Sequence, residues 1–456
     1  MAVIKTLFLS IVSIFIVCLH TTQSLQAKSL RDALAHAYLN NPNLISARLK
    51  QKGLDEAVAN AYSGWRPKII LEASASVSDT DTLTKVAENA PEISQSDTIN
   101  PNSYTLSVIE SLYSGGRTTS EIKVARANVN AGQADLLLLE QDTLLSAIRA
   151  YVDVLNFQVS LNLSKNNFDF VSKQFQAAKD KYSVGVVTQT EVAQAQARLY
   201  EAKANKVNAE GDLITAIADY KHIFRVLPIN LQWPKPALGI PENKQNLLEI
   251  ALRSNPEVIK SKYKEEAASE DVNVARSALL PIVTLEASYT RQNELSSLTV
   301  ENNIASIGAK VNIPIYQSGS EYSLIRTKKL IAAERRLEIE MAKQNVLNEA
   351  TKAWEALTTA LSSKKAFEMQ VQASKLVLEG LEKESMVGLR TTLDLLDAEQ
   401  DLFDSRVELV RAKAEFISAS YWVKAVEGSL TALDLNLPVK LYNPELNLQK
   451  VRSKWF

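Results

Sequence analysis

The chain is written twice, and few folds survive that constraint. Asn41-Pro42 recurs as Asn255-Pro256, Pro67 as Pro281, and the tetrapeptide LEAS at 71–74 as LEAS at 285–288, all at an offset of 214 residues. Leu34 and Ala37 match Leu248 and Ala251 in the same register. The offset then becomes 203: LYSGG at 112–116 aligns with IYQSG at 315–319, and VGVVTQTEV at 184–192 with VGLRTTLDL at 387–395. A register held over such distances is the mark of an internal repeat. The first copy carries a longer polar insertion, within DTDTLTKVAENAPEISQSDTINPNS.

Between the copies, PINLQWPKPALGIPENK at 228–244 holds four prolines. Proline fixes φ and lacks a donor, so this segment reads as a linker. The first repeat is therefore set at 28–227 and the second at 245–433, with a tail at 434–456. No proline interrupts 102–227 or 315–437. Leu137, Leu144, Ile148, Tyr151 and Leu155 follow heptad steps, which predicts a coiled-coil helix over 117–182 and its counterpart over 320–384. At ~1.5 Å per residue each would run roughly 100 Å. After glycine turns at Gly185 and Gly388, return helices are predicted over 188–226 and 391–433. Their alanines, Ala193, Ala195, Ala197, Ala202 and Ala204 in the first, allow close helix approach or simply favour helix.

The segments before the long helices alternate with period two, which predicts hairpins over 67–113 and 281–316. Ile69, Leu71, Ala73, Ala75 and Val77 share one face against Ile70, Glu72, Ser74, Ser76 and Ser78; Val283, Leu285, Ala287 and Tyr289 oppose Thr284, Glu286, Ser288 and Thr290. Ile307, Ala309, Val311 and Ile313 do the same, whereas 104–112 alternates less cleanly. Apolar-out, polar-in strands of about ten residues fit a transmembrane barrel. A soluble sandwich has the same pattern. Four strands cannot close a barrel, and about eight leave an interior just filled by side chains, so a conduit calls for three copies and 12 strands.

Composition excludes several alternatives. Fifty-one basic residues against 52 acidic ones leave a net charge of −1, which argues against a nucleic-acid footprint. The start of the chain, with Lys5, an apolar run over 7–19 and small residues to Ala27, has the order of a secretory signal peptide at 1–27. The single cysteine, Cys18, lies within it, preceded by Val17 rather than the small residue a lipid anchor requires. Only His36 and His222 follow. No metal-ligand spacing, phosphate cradle or catalytic constellation is present, so no cofactor, no metal and no enzymatic activity are expected.

Taken together, the duplicated Asn-Pro, the LYSGG/IYQSG openings of the long helices and the turns YSVGVVTQTEV and SMVGLRTTLDLLDAEQ resemble the TolC family of outer-membrane channel proteins, from about Ser29 to Leu433. The resemblance implies a mostly α fold with β: long coiled-coil α-barrel helices and four strands per protomer in a trimeric 12-stranded β-barrel. It implies a homotrimer set in outer-membrane lipid of a Gram-negative bacterium, its tunnel extending into the periplasm. A periplasmic adaptor and an inner-membrane pump or ABC transporter would dock at the turns, at Val184, Gly185, Val187, Gly388 and Leu389. The cargo would be small toxic molecules or, in type I secretion, proteins. The alternative is a non-conducting periplasmic coiled-coil scaffold or adaptor, which has no need of apolar-out hairpins in both repeats.

Asp394 and Asp397 stand three apart and share a helix face. Acids near a helix N-terminus complement its dipole. The resemblance instead implies that both line the periplasmic entrance, where copies would form a ring that attracts cations. It further implies a lock between neighbouring turns, in which Arg390 bonds Thr190 and Glu191. Ser385 stands where the family has a tyrosine, so one bond, worth about 0.5–1.5 kcal/mol, is missing.

Overall fold

The computed structural model describes residues 29–296 and 299–455. The signal-peptide reading, Cys18 and Phe456 lie outside them. Helix α1 (Leu30–Asn40) is followed by α2 (Pro42–Tyr62), then by strands β1 (Lys68–Ala75), β2 (Ser78–Thr84), β3 (Ile93–Ile99) and β4 (Asn102–Ser114). Helices α3 (Arg117–Ser183) and α4 (Gln189–Phe224) close the first repeat. The second repeats the plan with α5 (Lys244–Ser254), α6 (Pro256–Ser277), β5 (Ile282–Ser296), β6 (Thr299–Asn312), α7 (Ser320–Met386) and α8 (Thr392–Glu427); α9 (Glu445–Arg452) follows in the tail. The long helices are equal at 67 residues, and the return helices at 36. Among the described residues, no helix is long and apolar enough to cross a membrane.

The duplicated motifs are stop and start signals. Asn41 Oδ1 accepts from Asn43 N at 2.9 Å, and Asn255 Oδ1 from Glu257 N at 2.9 Å. Each asparagine thus caps a helix whose first residue is proline, the position where a missing N–H costs nothing. Gly115 has φ +64°, and its counterpart Ser318 keeps the same left-handed backbone at +55°. A Cβ on Gly115 would sit 2.7 Å from the Ser277 carbonyl oxygen, so that site admits only glycine.

Compactness divides the chain into two units, each drawing on both repeats. The first comprises residues up to Ile45, Leu139–Ala251 and Glu349–Leu441; the second comprises Ser46–Leu138, Leu252–Asn348 and the residues from Tyr442. In the first, Leu144, Ile148, Tyr151 and Leu155 are buried with Leu34, Tyr220, Phe224, Ile417 and Leu430 in one core. The linker is laced to this core. Tyr151 Oη donates to Gln232 O at 2.9 Å and accepts from Gln232 N at 3.0 Å, and Ala237 N donates to Ser420 Oγ at 2.9 Å. Helix α8 stops at Glu427 rather than 433, because Gly428 takes φ +89° and its N–H returns to the helix.

In the second unit, strands pair in the order β1-β4-β5-β6, all antiparallel. The register aligns Leu71, Leu106, Tyr289 and Ala305 in one cross-strand row and Ile69, Val108, Ala287 and Ile307 in the next. These rows build one exposed apolar face. Strand β4 alternates poorly in sequence because the register slips between Ser111 and Tyr113: Leu112 is bulged out, and Tyr113 then pairs with Val283 on the apolar face. The polar insertion of the first repeat is a two-stranded ribbon, β2 with β3, bridged by Thr98 Oγ1 donating to Asp79 Oδ1 at 2.9 Å. The seam also departs from the heptad reading at its start: Leu136 is buried and Leu137 only half-buried. The tail is structured as well. Asn447 Nδ2 donates to the buried carboxylate of Asp55 at 2.7 Å, Gln51 Nε2 donates to it at 3.3 Å, and Arg66 lies 5.0 Å from the Trp455 ring centre.

Candidate functional site

The predicted site residues gather at two turns of the same geometry, both in the first unit. Gly185 (φ +77°) and Gly388 (φ +78°) end α3 and α7. Val186 N returns to Lys181 O at 2.9 Å and Leu389 N to Glu384 O at 3.0 Å, with Gly185 N to Tyr182 O and Gly388 N to Ser385 O inside them. This is the nested pair of bonds of a Schellman stop, which needs a left-handed residue. Each return helix then starts on a threonine: Thr188 Oγ1 accepts from Glu191 N, and Thr391 Oγ1 from Asp394 N. Glu191 and Asp394 are therefore equivalent positions of the two repeats. Val184 and Leu389 are exposed, and Val187 is half-buried. Val186, Met386 and Val387 are exposed beside them, which sequence pattern did not single out.

The two aspartates have different environments. Asp394 closes a capping box: its Oδ2 accepts from Thr391 N at 3.0 Å and from Thr391 Oγ1 at 2.9 Å. Those two bonds, backbone first, hold its carboxyl below the ordinary value. The helix-cap role is thus real for Asp394, and it keeps that residue ionised. Asp397, three residues on, is an ion-pair partner instead. Arg198 of α4 reaches across with Nη2 2.7 Å from Asp397 Oδ1, while its Nη1 holds Glu201 Oε2 at 2.8 Å. Arg198 escaped the sequence reading because its partner comes from the other repeat, 199 residues away.

Within the chain, Arg390 Nε donates to Glu384 Oε2 at 2.8 Å, spanning the turn. Thr190 and Glu191 lie in the first turn of α4, and the single chain does not bring them to Arg390. Ser385 gives its carbonyl to the turn. Deeper in α8, Glu399 is buried, and burial pushes its carboxyl up against the opposing pull of Arg406. Among the described residues, no cluster of His, Cys, Asp or Glu could hold a metal ion.

The sequence profile described as "Outer membrane efflux protein" matches residues 33–219 and 247–427, one block in each repeat. The chain belongs to the outer membrane efflux protein family. Outer membrane efflux protein BepC of Brucella suis is 33% identical over 437 residues, covering 96% of this chain and 93% of that protein. Outer membrane protein TolC of Vibrio cholerae is 24% identical, covering 91% and 94%. Among solved structures, the CmeC outer membrane channel of Campylobacter jejuni superposes with a TM-score of 0.78 at 18% identity, over 93% of this chain and 89% of that one. The fold class and outer-membrane location implied by the family resemblance agree with these relatives. The protein thus serves efflux or secretion at the outer membrane.

Proposed function

We propose that this outer membrane efflux protein is a trimeric channel-tunnel. Its three four-stranded sheets close a 12-stranded barrel, and its helices continue the conduit into the periplasm. The observation that carries this reading is the sheet: among the described residues β1 and β6 each have one neighbour, and one face carries a band of apolar cross-strand rows. An open edge invites another strand, and an apolar face without a core demands lipid. The return helix supports it independently. Ala195, Ala202, Ala209 and Ala216 are buried at steps of seven, while Tyr200, Val207 and Ile214 are exposed at steps of seven about 140° away. A helix with two seams has two neighbours, as a wall of helices requires.

The turns form the far tip, where a periplasmic adaptor and an inner-membrane pump or ABC transporter dock through Val184, Gly185, Val187, Gly388 and Leu389. The cargo is small toxic molecules, proteins or both. Asp394 and Asp397 of three copies ring the entrance. Arg390 is held by Glu384 in its own chain and engages Thr190 or Glu191 of a neighbouring turn in the closed assembly. Such a charge-assisted bond is weakened by its exposure to water, so its effect rests on threefold repetition. With Ser385 too short to add a tyrosine's bond, Arg390 carries more of the restraint. Arg390→Ser should raise single-channel conductance while the detergent-solubilised trimer stays intact. Unchanged conductance, or a protein that fractionates away from the outer membrane as a monomer, counts against the reading and favours a periplasmic scaffold.

A further inference from the structure

The two aspartates are not equally free, and that difference has a consequence for what the tip admits. Asp397 Oδ1 is 2.7 Å from Arg198 Nη2, and the same guanidinium holds Glu201 at 2.8 Å, so one cation is shared by two carboxylates. The side chains of Arg198 and Asp397 keep 35% and 49% of their surface, which leaves the pair within reach of solutes. Asp394 has no cationic partner at bonding distance: its bonds run to Thr391, and its Oδ1 receives none among the described residues. The duplication sharpens the point. At the 203-residue offset, Arg198 corresponds to Asp401 and Asp397 to Gln194. Matched helices have thus acquired opposite charge at one level, and the pair exists only because the repeats meet there.

We propose that Arg198 sets the cation selectivity of the entrance, engaging Asp397 so that Asp394 is the carboxylate left to bind a passing cation. This rests on the proposed gate reading of the aspartates. In a ring of three copies, three guanidiniums offset three of the nine charges of Asp394, Asp397 and Glu201. The entrance then attracts cations, including cationic organic solutes, without trapping multivalent ones. Without Arg198, nine uncompensated carboxylates would form a tight multivalent site.

The test is block of the purified trimer by lanthanum in planar bilayers, in the wild type and in Arg198→Gln, Arg198→Lys, Asp397→Asn, Asp394→Asn and the Arg198→Gln/Asp397→Asn double variant. Arg198→Gln should lower the half-blocking concentration by about tenfold, from three added net charges acting at a few ångströms. Arg198→Lys, which keeps the charge, should stay near wild type. The Arg198→Gln/Asp397→Asn double variant, which has the wild-type net charge, should return close to the wild-type value, and Asp397→Asn alone, which leaves the guanidinium without that partner, should weaken block. If Arg198→Gln leaves block unchanged, or the double variant stays at the Arg198→Gln value, while Asp394→Asn weakens block, the role of Arg198 is refuted and the gate stands. If no aspartate substitution alters block, the gate reading falls and this inference with it.

Discussion

Two tyrosines in the core of the first unit should respond in opposite directions to loss of their hydroxyls. Tyr220 is fully buried, its ring 4.2 Å from Phe224, and its hydroxyl has no hydrogen-bond partner among the described residues. Tyr151, 6.4 Å from it, both donates to and accepts from the backbone of Gln232. An unpartnered buried hydroxyl costs about 1–3 kcal/mol relative to the same group in water. Tyr220→Phe should therefore stabilise the protein by about 1 kcal/mol or more at pH 7. Tyr151→Phe removes both half-buried bonds to the Gln232 backbone and should destabilise by about 1–3 kcal/mol, freeing the linker. Burial also pushes the Tyr220 hydroxyl up to about 12. A tyrosine raised in the folded state contributes stability that is fully present below the unfolded value near 10 and is lost as pH rises through 12, about 1.4 kcal/mol for each tenfold gain in proton affinity on folding. Tyr220→Phe should thus flatten the loss of stability above pH 10, although Tyr151, also raised by burial, keeps part of it. The assay is thermal unfolding followed by helical circular dichroism in detergent, from pH 7 to 12. A Tyr220→Phe protein less stable than wild type at pH 7 would refute the reasoning, since the hydroxyl would then have a partner.

Glu399→Gln should stabilise at pH 7–8, because burial raises the Glu399 carboxyl; such a group favours the folded state below its unfolded value and ceases to as pH rises, so the advantage should vanish near pH 4 in the same unfolding assay. Ala202→Leu should destabilise by about 1–3 kcal/mol through overpacking of the alanine seam; a variant as stable as wild type in the same assay would show that the seam is not a close contact.

Much of the fold was legible because its signals are local. Asn-Pro before α2 and α6, glycine at 185 and 388 and the alternating strands each act through the backbone of their own segment, and duplication displays each signal twice. Where contacts between distant segments decide, sequence fell short. The bulge at Leu112 depends on register with β5. The seam takes Leu136 over Leu137 through packing in the second unit. The tail helix is fixed by Asn447 on Asp55, across 392 residues. At the candidate site, the turns and the cap of Asp394 follow from adjacent residues. The pairing of Asp397 with Arg198 needs the two repeats in contact, and no spacing within either repeat announces it.

The central claim is that the acidic tip of an outer-membrane conduit governs what enters, and ion preference tests it most directly. Purified wild-type protein in planar bilayers under a salt gradient should form small pores whose reversal potential shows preference for cations, because carboxylates at a constriction concentrate them. Replacing Asp394 and Asp397 together with alanine should bring that potential close to zero while the trimer stays intact. A well-folded double variant with the wild-type reversal potential, or a wild-type trimer that conducts no ions, would contradict the account.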